Sequence, residues 1–522
     1  MKKILYKIAP ALMGLLMLSS CGDFDNINVD PSNPSQSQAY SEFLFSFSER
    51  YVPYFVMQRS YDPEFLLFPR YIAERQNVQY GRYNITTFAS TNYYRYTLMN
   101  LKKIINMNEN ESTKNTTAVT SFGSNANQIA TARTLMDYYY LGLTDALGMI
   151  PYSEALLGDS ANYTPKLDTQ EEVYKGVMKD LEEAYSQFDT SGSLNSTYDY
   201  IYKGDISKWK KLNATLRMMA AIKLSDVDPE DGKAWFLQAY KDGGIVSNDD
   251  NFTYSFYGNA DNENPMYTNI YTEGRKDFAP SSDIINIMNN LKDPRRAAYF
   301  VINSDSVYKG IPLGITSSDV TKYNTDNSDF NPNLYKQNEP IIIFSAARTL
   351  LVESEAAVRG WIDADAQSLY EEGIKLSIAA KYNMYAGTAT SAVMKVGTKA
   401  VSYTTPSAPT DDEVEAYLNS TGVKFGGTAA EKIALIATQR YINGFFEDGI
   451  ETWSDWRRLD APALTIGPSS LVDHIPYRCT YDDADISTNS VNYAAAAKIQ
   501  GENTVDTRVW WDTTDNAPQS KE

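Results

Sequence analysis

Chemistry that needs a histidine has one place to happen in this chain, His474. No nucleophile motif lies near it, so a His-based triad is not expected. HExxH, paired CxxC and Walker loops do not occur, and zinc lacks the Cys and His clusters it uses. Acids are plentiful, with 66 Asp and Glu. Two pairs bear on glycosidase-like acid and base roles: Glu353 with Glu355, and Glu447 with Glu451. The second pair, at i and i+4, shares a helix face. Arg359, Arg457 and Arg458 stand close by in sequence, so structural ion pairing is the expectation. Asp249, Asp250 and Asn251 offer oxygens to calcium but lack EF-hand spacing, and a solvated turn is expected instead. The expectation is therefore no catalytic residue, no metal and no cofactor.

Binding chemistry is better supplied. The chain has 39 Tyr, 20 Phe and 7 Trp. A tyrosine has a flat apolar face and a polar tip, which suits stacking on sugar rings and bonding to hydroxyls. It equally suits helix packing, and most of the 39 are assigned to packing. Specificity belongs in loops. Residues 79–96 offer Tyr80, Arg82, Tyr83, Tyr93, Tyr94 and Arg95. Residues 251–278 offer Tyr254, Tyr257, Tyr267, Tyr271 and Arg275. From these, Tyr80, Tyr83, Tyr267 and Tyr271 are expected as platforms, with Arg82 and Arg275 as polar partners. Trp209, Trp453 and Trp456 fall in segments expected to be helical and packed.

The elements that must position these residues are mostly helical. One apolar stripe runs through Ile129, Ala132, Leu135, Tyr139, Leu143 and Ala146. Thr169 and Glu172 form a capping box ahead of Val173, Val177, Leu181, Ala184 and Phe188. Further stripes are Trp209, Leu212, Leu216 and Met219; Ala366, Tyr370, Ile374, Ile378 and Tyr382; and Ile433, Ala437, Tyr441 and Phe445. Paired amphipathic helices cannot bury their stripes alone and must stack on neighbours. The expectation is a mainly α fold of tetratricopeptide-like helix pairs with minor β. Residues 247–265, 304–340 and 387–412 read as long irregular loops. No interdomain linker is visible, so a single domain is expected.

The amino terminus reads as an export signal. Lys2, Lys3 and Lys7 precede an apolar run from Ile8 to Leu18. That run is about half the roughly 20 residues a membrane-spanning helix needs. Leu18-Ser19-Ser20-Cys21 resembles a bacterial lipobox. Residues 1–20 are then a lipoprotein signal peptide, Cys21 the lipidation site, 21–41 a tether and 42–522 the folded body. Removing 1–20 takes away three lysines and no acids, moving the formal charge from −19 to −22. Such a chain repels nucleic acid and anionic headgroups, so its hold on a membrane is expected to be covalent. With Cys21 lipidated, Cys479 has no disulfide partner and is expected to act as a small apolar residue.

Eight segments in order carry a family resemblance. They are Phe24-Asp25-Asn26-Ile27-Asn28-Val29-Asp30-Pro31, Ile150-Pro151-Tyr152-Ser153-Glu154-Ala155-Leu156, Tyr202-Lys203-Gly204-Asp205 with Trp209, Asp293-Pro294-Arg295, Ile341-Ile342-Ile343-Phe344-Ser345 with Glu355-Ala356-Ala357, Trp453-Ser454-Asp455-Trp456-Arg457-Arg458, Ile475-Pro476-Tyr477-Arg478, and Val509-Trp510-Trp511-Asp512. The series resembles the SusD/RagB family of Bacteroidetes outer-membrane lipoproteins in its SusD-like form. The resemblance implies a SusD-like α-superhelix with loops decorating one side. It implies a cell-surface location, and Asp23 and Asp25 are similar to the family's surface-export signal. It implies a SusC-like TonB-dependent barrel as partner, with this chain as its lid. The implied task is non-covalent capture of oligosaccharide, with peptide as the alternative cargo and glycoside hydrolysis a more distant one. The chain departs from the pattern at Ser345-Ala346-Ala347-Arg348, where an arginine stands in a segment that carries glutamate in relatives.

Overall fold

The computed structural model describes residues 39–57, 64–157, 162–384 and 391–514. The signal peptide, Cys21, Asp23 and Asp25 lie outside the described residues. Helix α1, Ser41–Glu49, opens the body one residue inside the expected tether. Then follow α2 (Met99–Glu109), α3 (Asn125–Leu147), α4 (Gln170–Gln187), α5 (Ile206–Lys223) and α6 (Pro229–Asp242). After a long irregular excursion come α7 (Ala346–Val358), α8 (Ala366–Asn383), α9 (Ala429–Asn443) and α10 (Gly449–Leu459). Consecutive helices pack on one another: α2 on α3, α3 on α4, α4 on α5, α5 on α6, and α7 on α8. Helix α9 packs on α7, and α10 packs on α9 and returns to α3. The two halves of the stack therefore share one core.

Local sequence accounts for these elements. Thr169 Oγ1 accepts the Glu172 N–H at 3.2 Å while the Glu172 carboxylate accepts the Thr169 N–H at 2.8 Å, the expected capping box. In α4 the stripe Val173, Val177, Leu181 and Ala184 is buried, and Lys175, Lys179, Glu182 and Glu183 face water. Helix α3 is buried on nearly every side, because α2, α4, α5 and α10 all touch it. Gly449 begins α10 so close to the distant turn Glu64–Leu67 that a Cβ there would overlap the Phe65 carbonyl oxygen. Trp209 and Trp453 are fully buried and Trp456 nearly so, as expected. Cys479 is also buried, and burial pushes its thiol pKa up.

Among the described residues strands are short and come in five two-stranded ladders. One matters for the site. Ile72–Glu74 pairs antiparallel with Phe278–Pro280, with Glu74 opposite Phe278. Another corrects the reading of residues 387–412 as irregular: Ser391–Val396 and Lys399–Thr404 form an antiparallel hairpin. Its turn uses Gly397 at φ +60°, and Val396, Val401 and Tyr403 bury against Val301. The mixed residue types at its outward positions hid that alternation. Residues 304–340 likewise contain a helix, Ser317–Tyr323.

Candidate functional site

The pairing of Ile72–Glu74 with Phe278–Pro280 sets the two expected aromatic regions side by side. Asp277 is the knot between them. Its Oδ1 accepts from Gln76 Nε2 at 2.6 Å, and its Oδ2 from Asn269 Nδ2 at 3.0 Å and Arg275 Nε at 2.5 Å. Its carbonyl accepts the Arg75 N–H at 2.6 Å. Burial pushes the Asp277 carboxyl pKa up, but hydrogen bonds from Gln76, Arg275 and Asn269 outweigh it and hold the pKa below its ordinary value. Next to it, Asp329 pairs with Lys276 at 2.5 Å and Arg75 at 3.5 Å.

Tyr267 and Tyr271 sit on a single helical turn, Pro265–Tyr267, that continues as a π-helix, Thr268–Thr272. Such π-turns are frequent at functional sites. The Asn264 side chain caps the turn, accepting the Met266 N–H at 2.9 Å. Glu263 fastens it from beneath, accepting from Thr268 Oγ1 at 3.0 Å, Thr272 Oγ1 at 2.6 Å and Gln337 Nε2 at 3.0 Å. The two rings lie 4.9 Å apart, tilted by 40°, and Tyr335 backs Tyr271 at 6.1 Å. Tyr271 is 58% exposed and Tyr267 half-buried. Arg275 is exposed at the end of the same turn. Aromatic area is thus held at the surface by a rigid mount, with a charged pair at its edge.

The other three expected residues sit differently. Tyr83 is buried, at φ +60°, and its hydroxyl accepts from Arg70 Nη1 at 3.2 Å. Arg70 is itself paired with Asp283 at 2.8 Å. In this position Tyr83 presents no ring face to a ligand. Tyr80 is half-buried against the core. Arg82 is half-buried, and its Nε donates to the Ser469 carbonyl at 2.8 Å. Gly81 donates to Glu74 Oε2 at 2.8 Å, and burial pushes Glu74 up to about 8. Of the six residues, then, Tyr267, Tyr271 and Arg275 come together on one mount. Sequence reasoning missed Tyr335, which sits on a 3-10 turn (Pro332–Tyr335) inside a stretch read as irregular.

The paired acids serve the core. Against the upward push of burial, Arg458, Arg359 and Arg440 hold Glu355 far below the carboxylate range. Both its oxygens meet Arg458, at 2.6 and 2.7 Å. Glu353 is buried, and burial pushes it up to about 7. Glu447 accepts from Lys381 at 3.0 Å and Asn443 at 2.8 Å. Glu451 meets Lys223 at 2.5 Å, and Lys223 also holds Asp145 at 2.5 Å. Of the Asp249–Asn251 turn only Asp249 is solvated as expected. Asp250 is buried and pairs with Lys211 at 2.7 Å, and Asn251 Oδ1 accepts the Ala346 N–H at 2.8 Å. Among the described residues no group of three His, Cys, Asp or Glu is placed to hold a metal ion. His474 stacks on Tyr477 at 4.2 Å and pairs with Asp506 at 2.8 Å.

Comparison with known proteins agrees with this architecture. No curated protein matches the sequence. Among solved structures, a chitin-binding protein superposes with a TM-score of 0.73 at 24% identity, covering 91% of this chain and all of the other. A Bacteroides vulgatus protein described as an outer-membrane protein with a suggested part in nutrient binding gives 0.73 and 24%, covering 90% of this chain and all of that one. A chitin-binding SusD homologue from Flavobacterium johnsoniae gives 0.69 and 24%, over 91% and 98% of the two chains. At these identities the likeness is one of fold. Residues 34–482 match the SusD-like family described as starch-binding and associating with the outer membrane. That span is most of the chain, and the protein belongs to the SusD-like family.

Proposed function

We propose that this protein is a lipid-anchored binding protein of the cell surface. It captures oligosaccharide without covalent chemistry and delivers it to a SusC-like TonB-dependent barrel in the outer membrane. The observation that carries the reading is the Tyr267–Tyr271 pair, a fixed aromatic surface open to solvent. Sugar rings offer weakly apolar faces to such a surface, and their hydroxyls meet the polar groups around it. The family's starch-binding description and the chitin-binding structures of the same fold support a glycan cargo. The lipobox at Cys21 supports the anchor, and the acidic mature chain leaves no electrostatic route to anionic lipid.

An open site of this kind binds weakly, on the order of micromolar to millimolar. Weak binding allows release into the barrel. The test is isothermal titration with maltoheptaose and with N-acetylchitohexaose, using the native chain and a Tyr267→Ala, Tyr271→Ala variant. The native chain is expected to bind at least one probe, and the variant to lose most of that affinity. Unchanged binding by the variant overturns the assignment of the site.

A further inference from the structure

A second aromatic cleft lies away from the Tyr267–Tyr271 mount. It measures about 360 Å³ and is walled by three segments distant in sequence. The first is the π-helix Tyr94–Leu98, which leads into α2. The second comprises Pro151, Ala155, Leu156, Tyr163 and Pro165 between α3 and α4, and the third contains Asp485 and Tyr493. We propose that this cleft is a further carbohydrate subsite, taking a short neutral stretch of the same glycan cargo.

The π-turn supplies one wall of the cleft, and successive tyrosines along it point in different directions. Tyr93 is buried in the core, Tyr94 faces the cleft, and Tyr96 stacks on Tyr51 at 5.8 Å. Tyr94 is fixed there by its hydroxyl, which donates to the Pro151 carbonyl at 2.6 Å. The opposite wall is equally fixed. Asn489 Nδ2 donates to the Pro165 carbonyl at 2.7 Å, and Asn492 Nδ2 to the Thr164 carbonyl at 2.8 Å. These bonds hold Tyr163 at the rim with 82% of its surface in water. A tyrosine that exposed stabilises little of the fold, but it offers a ring face to a ligand. Arg95 is exposed, with its guanidinium 5.3 Å from the centre of the Tyr96 ring and no ion pair among the described residues. Asp485 supplies the opposite charge, accepting from the hydroxyls of Ser90 and Thr91. One cation, one anion and side-chain amides suit an uncharged, hydroxyl-rich ligand better than an anion or a cation. The volume falls in the range of about 300–1,000 Å³ usual for ligand pockets.

The inference rests on the glycan reading, and one experiment separates the two. Maltoheptaose and N-acetylchitohexaose are titrated into the native chain, a Tyr163→Ala, Arg95→Ala variant and a Tyr267→Ala, Tyr271→Ala variant. Tyr163 and Arg95 are exposed, so their variant is expected to melt like the native chain. The native chain is expected to bind a probe at two sites. Loss of the Tyr163 face is expected to weaken the cleft site about fivefold or more, leaving the other site unchanged. If the Tyr163, Arg95 variant keeps native affinity and stoichiometry while the Tyr267, Tyr271 variant fails, the cleft is not a subsite and the glycan reading stands. If only the Tyr163, Arg95 variant fails, the cleft stands and the first site falls. If the native chain binds neither probe, both fall.

Discussion

Arg348 Nη1 lies 2.9 Å from Asp455 Oδ2, and Arg440 holds the other oxygen of the same carboxylate. The pair joins α7 to α10 in a site closed to water. It gives the arginine at 348 an acidic partner across the helix interface. Arg348 Nη2 also donates to Thr452 Oγ1 at 2.9 Å, and Arg440 reaches on to Glu355 at 2.9 Å. Three helices are thus cross-linked by one chain of charges.

Asp455→Ala leaves Arg348 and Arg440 buried with one partner fewer. Removing one member of a buried pair costs about 3–5 kcal/mol. Urea unfolding followed by circular dichroism checks this, and a loss below about 1 kcal/mol would show that the two arginines find other partners.

Tyr83 and Tyr271 make opposite demands. Tyr83 is a buried ring on a buried arginine, so Tyr83→Ala is expected to cost about 3–5 kcal/mol of stability. Tyr271 is mostly exposed, so Tyr271→Ala is expected to shift stability by no more than about 0.5 kcal/mol while weakening oligosaccharide binding. Thermal melting and titration calorimetry on the same two variants separate packing from binding. A Tyr271 variant that melts well below the native chain would contradict the assignment.

Glu353 gives a pH dependence with a definite sign. Its ordinary value is 4.5, and burial pushes it up to about 7. Between those values the folded chain keeps a proton that the unfolded chain has released. Stability contributed by this group is therefore complete below pH 4.5 and falls as pH rises toward 7. Glu353→Gln removes the loss. The variant is expected to be stabilised at pH 8, by at most about 3 kcal/mol, and unchanged at pH 4. Melting temperatures across that range test it. Glu355 acts in the opposite sense. Its depressed value adds stability above pH 4.5 that is lost in acid.

Cys479 is expected to be inert to thiol reagents in the native state and to react fully on denaturation, because its sulfur is buried and its pKa raised. Labelling with a chromogenic disulfide, with and without guanidinium, decides it. Fast native labelling would place the carboxy-terminal segment outside the core.

Much of the architecture was legible because it rests on local rules. The stripes through Leu135, Val177, Leu212, Ile374 and Ala437 all became helices, and the Thr169–Glu172 box closed as its spacing required. The packed tryptophans were legible for the same reason. The geometry of the candidate site was only half legible. Tyr267 and Tyr271 stand at i and i+4, a spacing visible in the sequence, and their rings meet. Tyr83 looked equivalent, but its burial depends on Arg70 and Asp283, far apart along the chain. The hairpin at 391–404 was hidden because its outward positions mix Val393, Lys395, Ala400, Ser402 and Thr404, which blurs the alternation. No local signal marked the cleft at Tyr163, because it exists only where three separate segments meet.

The knot at Asp277 has a kinetic consequence. It ties one segment to the next through four donors, with no slack between them. A surface so braced cannot wrap around what lands on it. Cargo held only by exposed ring faces and the few polar groups beside them is expected to exchange quickly, and prolonged residence is expected to need a second body closing over it.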